Sequence, residues 1–237
     1  MALRFEAPLE EVLRASYIQA VLRRHLRFTL EHVLHAIVRS PAGAILDELG
    51  ADRVHLEKEL GEYLELIAER PPKTNLAPQP EVAFERALRL ACVHVMASGN
   101  ELVRVGDVLA SILRDDEAYA SLILRAEGLS RVDVLRKMSH GGVRQPAIAE
   151  SEELPATVPV RVLLHNDPYT TMEFVVEVLE DIFHIPAHQA THLMLQVHNE
   201  GRAEIGIFPS TVAREKVQEV RDLAEEYGFP LLCTIER

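Results

Sequence analysis

Residues Phe28-Thr29-Leu30-Glu31-His32-Val33-Leu34-His35-Ala36-Ile37-Val38-Arg39 lie over Val103-Arg104-Val105-Gly106-Asp107-Val108-Leu109-Ala110-Ser111-Ile112-Leu113-Arg114 at a constant offset of 75 positions. After a slip of three, Ile45-Leu46 through Gly50 and Arg53-Val54 lie over Ile123-Leu124 through Gly128 and Arg131-Val132. A fixed offset between apolar helical segments implies one helical unit used twice, packed about a pseudo-twofold axis, with the Pro-rich Arg70 to Pro80 segment as the joint. Leu9, Val12, Leu13 and Tyr17, then Leu30, Val33, Leu34, Ile37 and Val38, then Leu56, Leu60, Leu64 and Ile67 recur at spacings of three and four, the mark of buried helix faces. Strand-like alternation is scarce here, so the first half reads as all-helical.

The periodicity stops at Gly141. From there to Val158 the chain runs through Gly-Gly, Pro146, Glu150, Ser151, Glu152, Glu153 and Pro155, which is linker chemistry, the glutamates serving as a solvating run. The expected division is a helical domain over 1–141, a flexible linker over 142–158 and a second domain over 159–237.

The second domain reads β-α-α-β-α-β. Val160-Arg161-Val162-Leu163-Leu164 is a strand that delivers the polar loop Asn166-Asp167-Pro168-Tyr169-Thr170. Thr170 or Thr171 caps the next helix, with Phe174, Val175, Val178, Leu179 and Ile182 on its apolar face. Pro186 starts another, with Ala190, Leu193, Met194 and Val197 inward. Arg202 to Phe208 is a strand, a helix with Val212, Val217, Val220, Leu223 and Ala224 follows, and Pro230 to Ile235 closes as a third strand. Three strands cannot bury both faces alone, so the helices are expected over one side, an α+β sandwich. A short Asn/Asp loop, a distant histidine and a set of apolar side chains suit the capture of a free amino terminus. An ammonium group leaves water only where acceptors such as a carboxamide oxygen, a carboxylate or a neutral imidazole replace it.

Several function classes drop out. A formal charge of −12 with no basic block leaves little to attract a phosphate backbone, so nucleic acid is not an expected partner. No apolar run approaches the ~20 residues of a membrane span and the start lacks a signal core, so no membrane and a cytoplasmic location are expected. Cys92 and Cys233 read as buried thiols in a reducing compartment. No nucleophile with its base, metal triad or phosphate loop is evident, so the chain reads as a non-enzyme without cofactor or metal. His188 and His192, four apart on a helix, lack a third ligand and read as solvated, as do His32 and His35.

The doubled unit, with Leu30-Glu31-His32-Val33-Leu34, Asp107-Val108-Leu109 and Ser130-Arg131-Val132-Asp133-Val134-Leu135 through Ser139-His140-Gly141, resembles the N-terminal domain of Clp-family AAA+ unfoldases, ClpA most closely. In that family the domain is a mobile docking module for adaptors and substrates. With no Gly-x-x-x-x-Gly-Lys-Ser/Thr loop in the chain, neither binding nor hydrolysis of ATP is expected.

The second half resembles the ClpS adaptor family over nearly its whole length. The words that carry this are Asn166-Asp167, Tyr169-Thr170, Met172-Glu173-Phe174-Val175, Ala190-Thr191, Leu193-Met194-Leu195, Val197-His198, Gly201, Val212-Ala213, Lys216-Val217 and Pro230-Leu231-Leu232-Cys233-Thr234. The resemblance implies recognition of N-degrons, proteins whose first residue is bulky and apolar or aromatic with a free α-amine, and their delivery to a Clp unfoldase, ClpA-like or ClpC-like, and its ClpP peptidase. Asn166, Asp167 and His198 would then meet the amine. Met172, Val175, Met194, Val197 and Leu231 would line the side-chain pocket, although periodicity alone places Met172, Val175, Met194 and Val197 in the core. Thr211 and Lys216 would mark the face that docks on the unfoldase. Pro168 stands where many members carry a second acidic residue, a lost charge-assisted bond worth ~1.5–3 kcal/mol unless Asp167 substitutes. Thr171 stands where proline is common, and Thr211 where an acidic residue is.

The two resemblances together describe an adaptor joined to a copy of its own receptor. A flexible tether of this length reaches about 20–25 Å and gives effective concentrations in the millimolar range, so intramolecular docking is expected. Delivery of substrates and a non-delivering alternative, in which the chain sequesters substrates or occupies the unfoldase, both remain open at this point.

Overall fold

The computed structural model describes residues 3–67, 69, 76–141 and 157–236. Most of the linker run, Glu150, Glu152 and Glu153 included, and most of the joint after Arg70 lie outside them. The chain divides into two compact units, Met1–Val134 and Leu135–Arg237.

The first unit carries the strand β1 (Arg4–Phe5), helix α1 (Ala7–Leu22), strand β2 (Arg27–Phe28) and helix α2 (Leu30–Arg39). A 3-10 turn at Pro41–Gly43 leads to α3 (Ala44–Glu48) and α4 (Arg53–Glu65). The order then starts again with β3 (Gln79–Pro80), α5 (Val82–Ala97), β4 (Leu102–Val103), α6 (Val105–Ile112) and α7 (Tyr119–Ala126), and α8 (Arg131–His140) begins in this unit and runs into the second. The repeat is visible in the pairing. β1 runs parallel to β4 with Arg4 opposite Leu102, and β2 runs parallel to β3 with Arg27 opposite Gln79. The first strand of each copy thus pairs with the second strand of the other, as a pseudo-twofold axis requires. These strands are two residues long, too short to leave an alternating pattern in the sequence.

The self-similar segments are the central helices. From Leu30 to Val38 in α2, and throughout α6, every residue is buried, the signature of a helix enclosed on all sides. Matched polar residues start both. The Thr29 amide donates to His32 Nδ1 at 3.2 Å and the Arg104 amide to Asp107 Oδ2 at 2.8 Å, in each case relieving an orphan donor at the helix start. Glu31, also buried, accepts from the Ala120 amide at 3.1 Å.

The expectation of solvated His32 and His35 is overturned: they are 0% and 3% exposed. His32 Nδ1 accepts from Thr29, so its proton sits on Nε2, which donates to His25 Nδ1 at 2.8 Å. His35 bonds Gln19. Burial, then the charge of His25, hold His32 down to about 3, while burial and Arg39 lower His35. Apolar spacing had already reserved this helix for the core, and a buried neutral imidazole needs only partners to stay there. Of the two thiols, Cys233 is buried and pushed up to about 12 by desolvation, whereas Cys92 is only half-buried.

The second unit takes the expected order: β5 (Pro159–His165), α9 (Met172–Asp181), α10 (Ala187–Glu200), β6 (Arg202–Pro209), α11 (Ser210–Tyr227) and β7 (Leu232–Glu236). The sheet is antiparallel in the order β6-β5-β7. Val160, Val162 and Leu164 of the central strand join Phe174, Val178, Leu179, Ala213, Val217, Val220 and Cys233 in one core on a single face. Strand alternation turns Leu163 the other way, yet it is 7% exposed, so the second face is not open to water there.

Candidate functional site

The loop after β5 alternates in burial. Asn166 and Pro168 are exposed, Asp167 and Tyr169 buried. Asp167 sets this pattern. Its Oδ1 accepts from the amides of Tyr169 at 2.8 Å and Thr170 at 2.7 Å, and its Oδ2 from the Thr170 hydroxyl at 2.6 Å. An aspartate bonding the backbone two and three residues on is an Asx-type turn. Thr171 then caps α9, accepting from the Phe174 amide at 3.3 Å. The carboxylate of Asp167 is therefore engaged with its own loop, which the sequence reading, assigning it to an incoming amine, did not foresee.

Asn166 is joined to α10. That helix ends at Gly201, whose φ of 83° is the left-handed cap position that glycine adopts without strain. The Gly201 carbonyl, turned out of the helix, accepts the Asn166 amide at 2.8 Å. His198, one turn earlier on α10, is exposed. The exposed carboxamide and imidazole thus belong to two segments pinned together at one end of the sheet, while β5 and β6 pair there through His165 and Arg202.

The apolar residues divide. Val175, Met194, Val197 and Leu231 are 7%, 8%, 3% and 1% exposed and lie in the same buried cluster. Met172, at the first turn of α9, is 42% exposed.

On α11, Thr211 is exposed and Lys216 half-buried. The Lys216 ammonium donates to the Ile182 carbonyl at 2.5 Å, at the end of α9, and stands 5.5 Å from the Phe183 ring centre and 6.0 Å from that of Phe208.

One element beside the loop carried no signal as a site. Within the second unit, the Tyr169 hydroxyl donates to Met138 Sδ at 3.7 Å and Arg136 pairs with Glu225 at 3.0 Å. Burial lowers the His140 proton affinity, opposed by the charge of Asp167 and by the backbone of Pro230, and His165 is lowered by burial and then by His140. These partners stand about thirty to ninety positions away in sequence, so no local pattern announces them.

Among the described residues no group of three or more His, Cys, Asp or Glu side chains is placed to hold a metal, and no helix is long and apolar enough to cross a membrane. His188 and His192 are exposed.

Comparison with known proteins gives two family matches in one chain. Residues 156–234 match the ATP-dependent Clp protease adaptor protein ClpS, and residues 4–127 the Clp repeat N-terminal domain. An ATP-dependent Clp protease adapter protein ClpS from Nitratidesulfovibrio vulgaris is 43% identical over 99 residues, which is 42% of this chain and 98% of that one. The same-named protein of Desulfatibacillum aliphaticivorans is 49% identical over 76 residues, 32% of this chain and 73% of that one. A solved ClpS structure from Agrobacterium tumefaciens, bound to L-phenylalaninamide, is 34% identical with a TM-score of 0.33, covering 35% of this chain and 98% of that chain. The family is one of protease adaptors rather than of catalysts. The chain belongs to the ClpS family of Clp protease adaptors through its second half and to the Clp repeat N-terminal domain family through its first, a fusion of the two.

Proposed function

We propose that this chain recognises proteins bearing a bulky apolar first residue with a free α-amine and delivers them to a Clp AAA+ unfoldase, ClpA-like or ClpC-like, with its ClpP peptidase. The observation that carries the reading is the joining of Asn166, through Gly201, to the end of the helix that presents His198, with both side chains exposed. Two acceptors held at one edge replace the water of an ammonium group. Asp167 contributes negative charge from beneath, since a carboxylate with three donors retains a lone pair. Met172 forms the exposed rim of the side-chain pocket, and Val175, Met194, Val197 and Leu231 its floor and walls. Burying a Leu or Phe side chain there contributes roughly 1.5–3 kcal/mol.

The same proposal assigns 1–141 to the receptor-like domain, 142–158 to the tether and 159–237 to the adaptor domain, in the cytoplasm. Thr211 and Lys216 mark the docking face, and the fused receptor-like domain competes for it in cis. The test is a reconstituted degradation reaction. A reporter beginning with Phe or Leu is degraded faster by unfoldase and peptidase when the chain is added, and one beginning with Gly is not. Slower degradation of the Phe and Leu reporters would instead establish the sequestering or unfoldase-occupying alternative.

A further inference from the structure

A buried imidazole of the first unit faces open space. His35 is 3% exposed. On one side its Nδ1 lies 2.9 Å from Nε2 and 3.1 Å from Oε1 of Gln19 on α1, so that carboxamide sets which ring nitrogen carries the proton. On the other side the ring is the floor of a cleft of about 500 Å3 between the end of α1 and α4. Its Nε2 has no hydrogen-bond partner among the described residues. The counterpart of His35 in the repeat, 75 positions on, is Ala110, itself buried. The repeat therefore folds with a methyl group at this place, and packing does not call for the imidazole. Gly61, in the middle of α4, lines the same cleft. Glycine in a helix interior is unfavourable relative to alanine, yet no atom stands within 4 Å of a Cβ placed there. Close packing does not explain it, and what the missing side chain leaves is the opening over His35.

The wall is acidic. Glu57, Glu62 and Glu65 line it against two cations, Arg23 and Lys58. Arg23 is tied to Glu65, Lys58 stands 3.9 Å from Glu62, and Glu57 pairs at 3.3 Å with Arg39 from outside the lining. A carboxylate with one such partner keeps further lone pairs, so all three can still accept. Burial, then the charges of Arg39 and Arg23, lower the proton affinity of His35, with Glu57 opposing. The ring is neutral, and it accepts at Nε2 once Gln19 Oε1 takes the Nδ1 proton. The three most exposed large apolar side chains among the described residues are Leu22, Val54 and Leu66, at 77%, 80% and 81%. Val54 lines the cleft, and the other two adjoin its residues Arg23 and Glu65, a setting that suits a protein partner. We propose that this cleft takes a basic side chain, lysine or arginine, of a partner protein, its charged group donating to His35 Nε2 and to the carboxylates of α4. The site lies in the first unit and does not depend on the N-degron reading.

The test uses the full chain and two peptides, acetyl-Ala-Leu-Lys-Leu-Ala-amide and the same peptide with norleucine in place of lysine. Their acetylated start keeps them from the amine site of the second unit. Each is titrated while the histidine ring nitrogens are followed by NMR, in the parent, in His35→Ala and in Gly61→Leu. Gly61→Leu fills the cleft with a better helix former, so its unfolding midpoint should not fall. The lysine peptide should bind at least about tenfold more tightly than the norleucine peptide and should move the His35 Nε2 signal. Both variants should weaken it by about threefold to tenfold and leave the norleucine peptide within about twofold. Equal affinities of the parent for the two peptides would overturn the proposal. So would lysine-peptide binding unchanged in Gly61→Leu, the result expected if a chain of charge −12 merely attracts a cation to its surface. Should His35→Ala fold poorly, the Gly61→Leu result decides alone.

Discussion

The Asn166 amide donates to the Gly201 carbonyl at 2.8 Å, and this bond ties the carboxamide at the end of β5 to the helix that presents His198. The two segments are about thirty residues apart in sequence. The amine site depends on a backbone feature, the left-handed turn at Gly201, as much as on the side chains that would touch a ligand.

Gly201→Ala should therefore weaken peptide binding although Gly201 presents no side chain to a ligand. No atom crowds an added Cβ, so the cost comes from the φ of 83° alone, roughly 1 kcal/mol. Urea unfolding measures that cost, and a titration with a Phe-initiated peptide measures the accompanying loss of affinity.

Asn166→Ala and His198→Ala change exposed side chains and should leave stability within about 0.5 kcal/mol of the parent. Free-amine peptides should bind about ten- to a hundredfold more weakly to either, the range for a lost charge-assisted bond. Acetylated peptides should show little further change.

Asp167→Ala is expected to behave differently. It strands the amides of Tyr169 and Thr170 and removes the partner of the Thr170 hydroxyl, at about 1–3 kcal/mol for each buried group left unsatisfied. Faster exchange at both amides and a lower unfolding midpoint should accompany the loss of binding. Asp167→Asn, which keeps the Oδ1 acceptor, should lose less.

Acid should destabilise the first unit through two buried histidines. His32 is held down to about 3 and His94 to about 4, in both cases chiefly by burial, against an ordinary value of 6.5. Their folded values lie below the unfolded one, so the unfolded chain binds the protons first. The stability they contribute is complete above pH 6.5 and falls as pH drops toward 3 and 4, by up to ~1.4 kcal/mol per pH unit for each group. Urea melts between pH 7 and pH 5 measure the slope, and His32→Gln should flatten it.

Lys216→Ala removes the donor to the Ile182 carbonyl and the cation beside Phe183 and Phe208. A loss of about 1–2 kcal/mol in stability is expected, against less than about 0.5 for the exposed Thr211→Ala. A docking defect of the Lys216 variant needs that correction, and the Thr211 variant, read by unfoldase pull-down, does not.

The architecture was largely legible because it rests on periodicity. The offset between Phe28 and Val103 anticipated a helical unit used twice about a pseudo-twofold axis, though not the two-residue strands that pair across it, and the run at Val160 to Leu164 located a strand that proves to be the middle one. Of the residues that spacing placed in the core, Val175, Met194 and Val197 are buried there, since spacing and burial are linked, whereas Met172, at the helix start, is exposed; Leu231 was named only through the family resemblance. Polar roles were less legible. Side-chain chemistry says what His32 and Asp167 can do but not which partner reaches them first, and both proved to be satisfied by their own neighbourhood. Tyr169 and Met138 meet only through folding.

The most direct test of the central claim is anisotropy binding of four peptides identical except for a first residue of Leu, Phe, acetylated Leu or Gly. The account predicts that free Leu and Phe bind and that acetylated Leu and Gly bind at least about tenfold more weakly. Equal affinity for all four would contradict recognition of the amino terminus by Asn166 and His198.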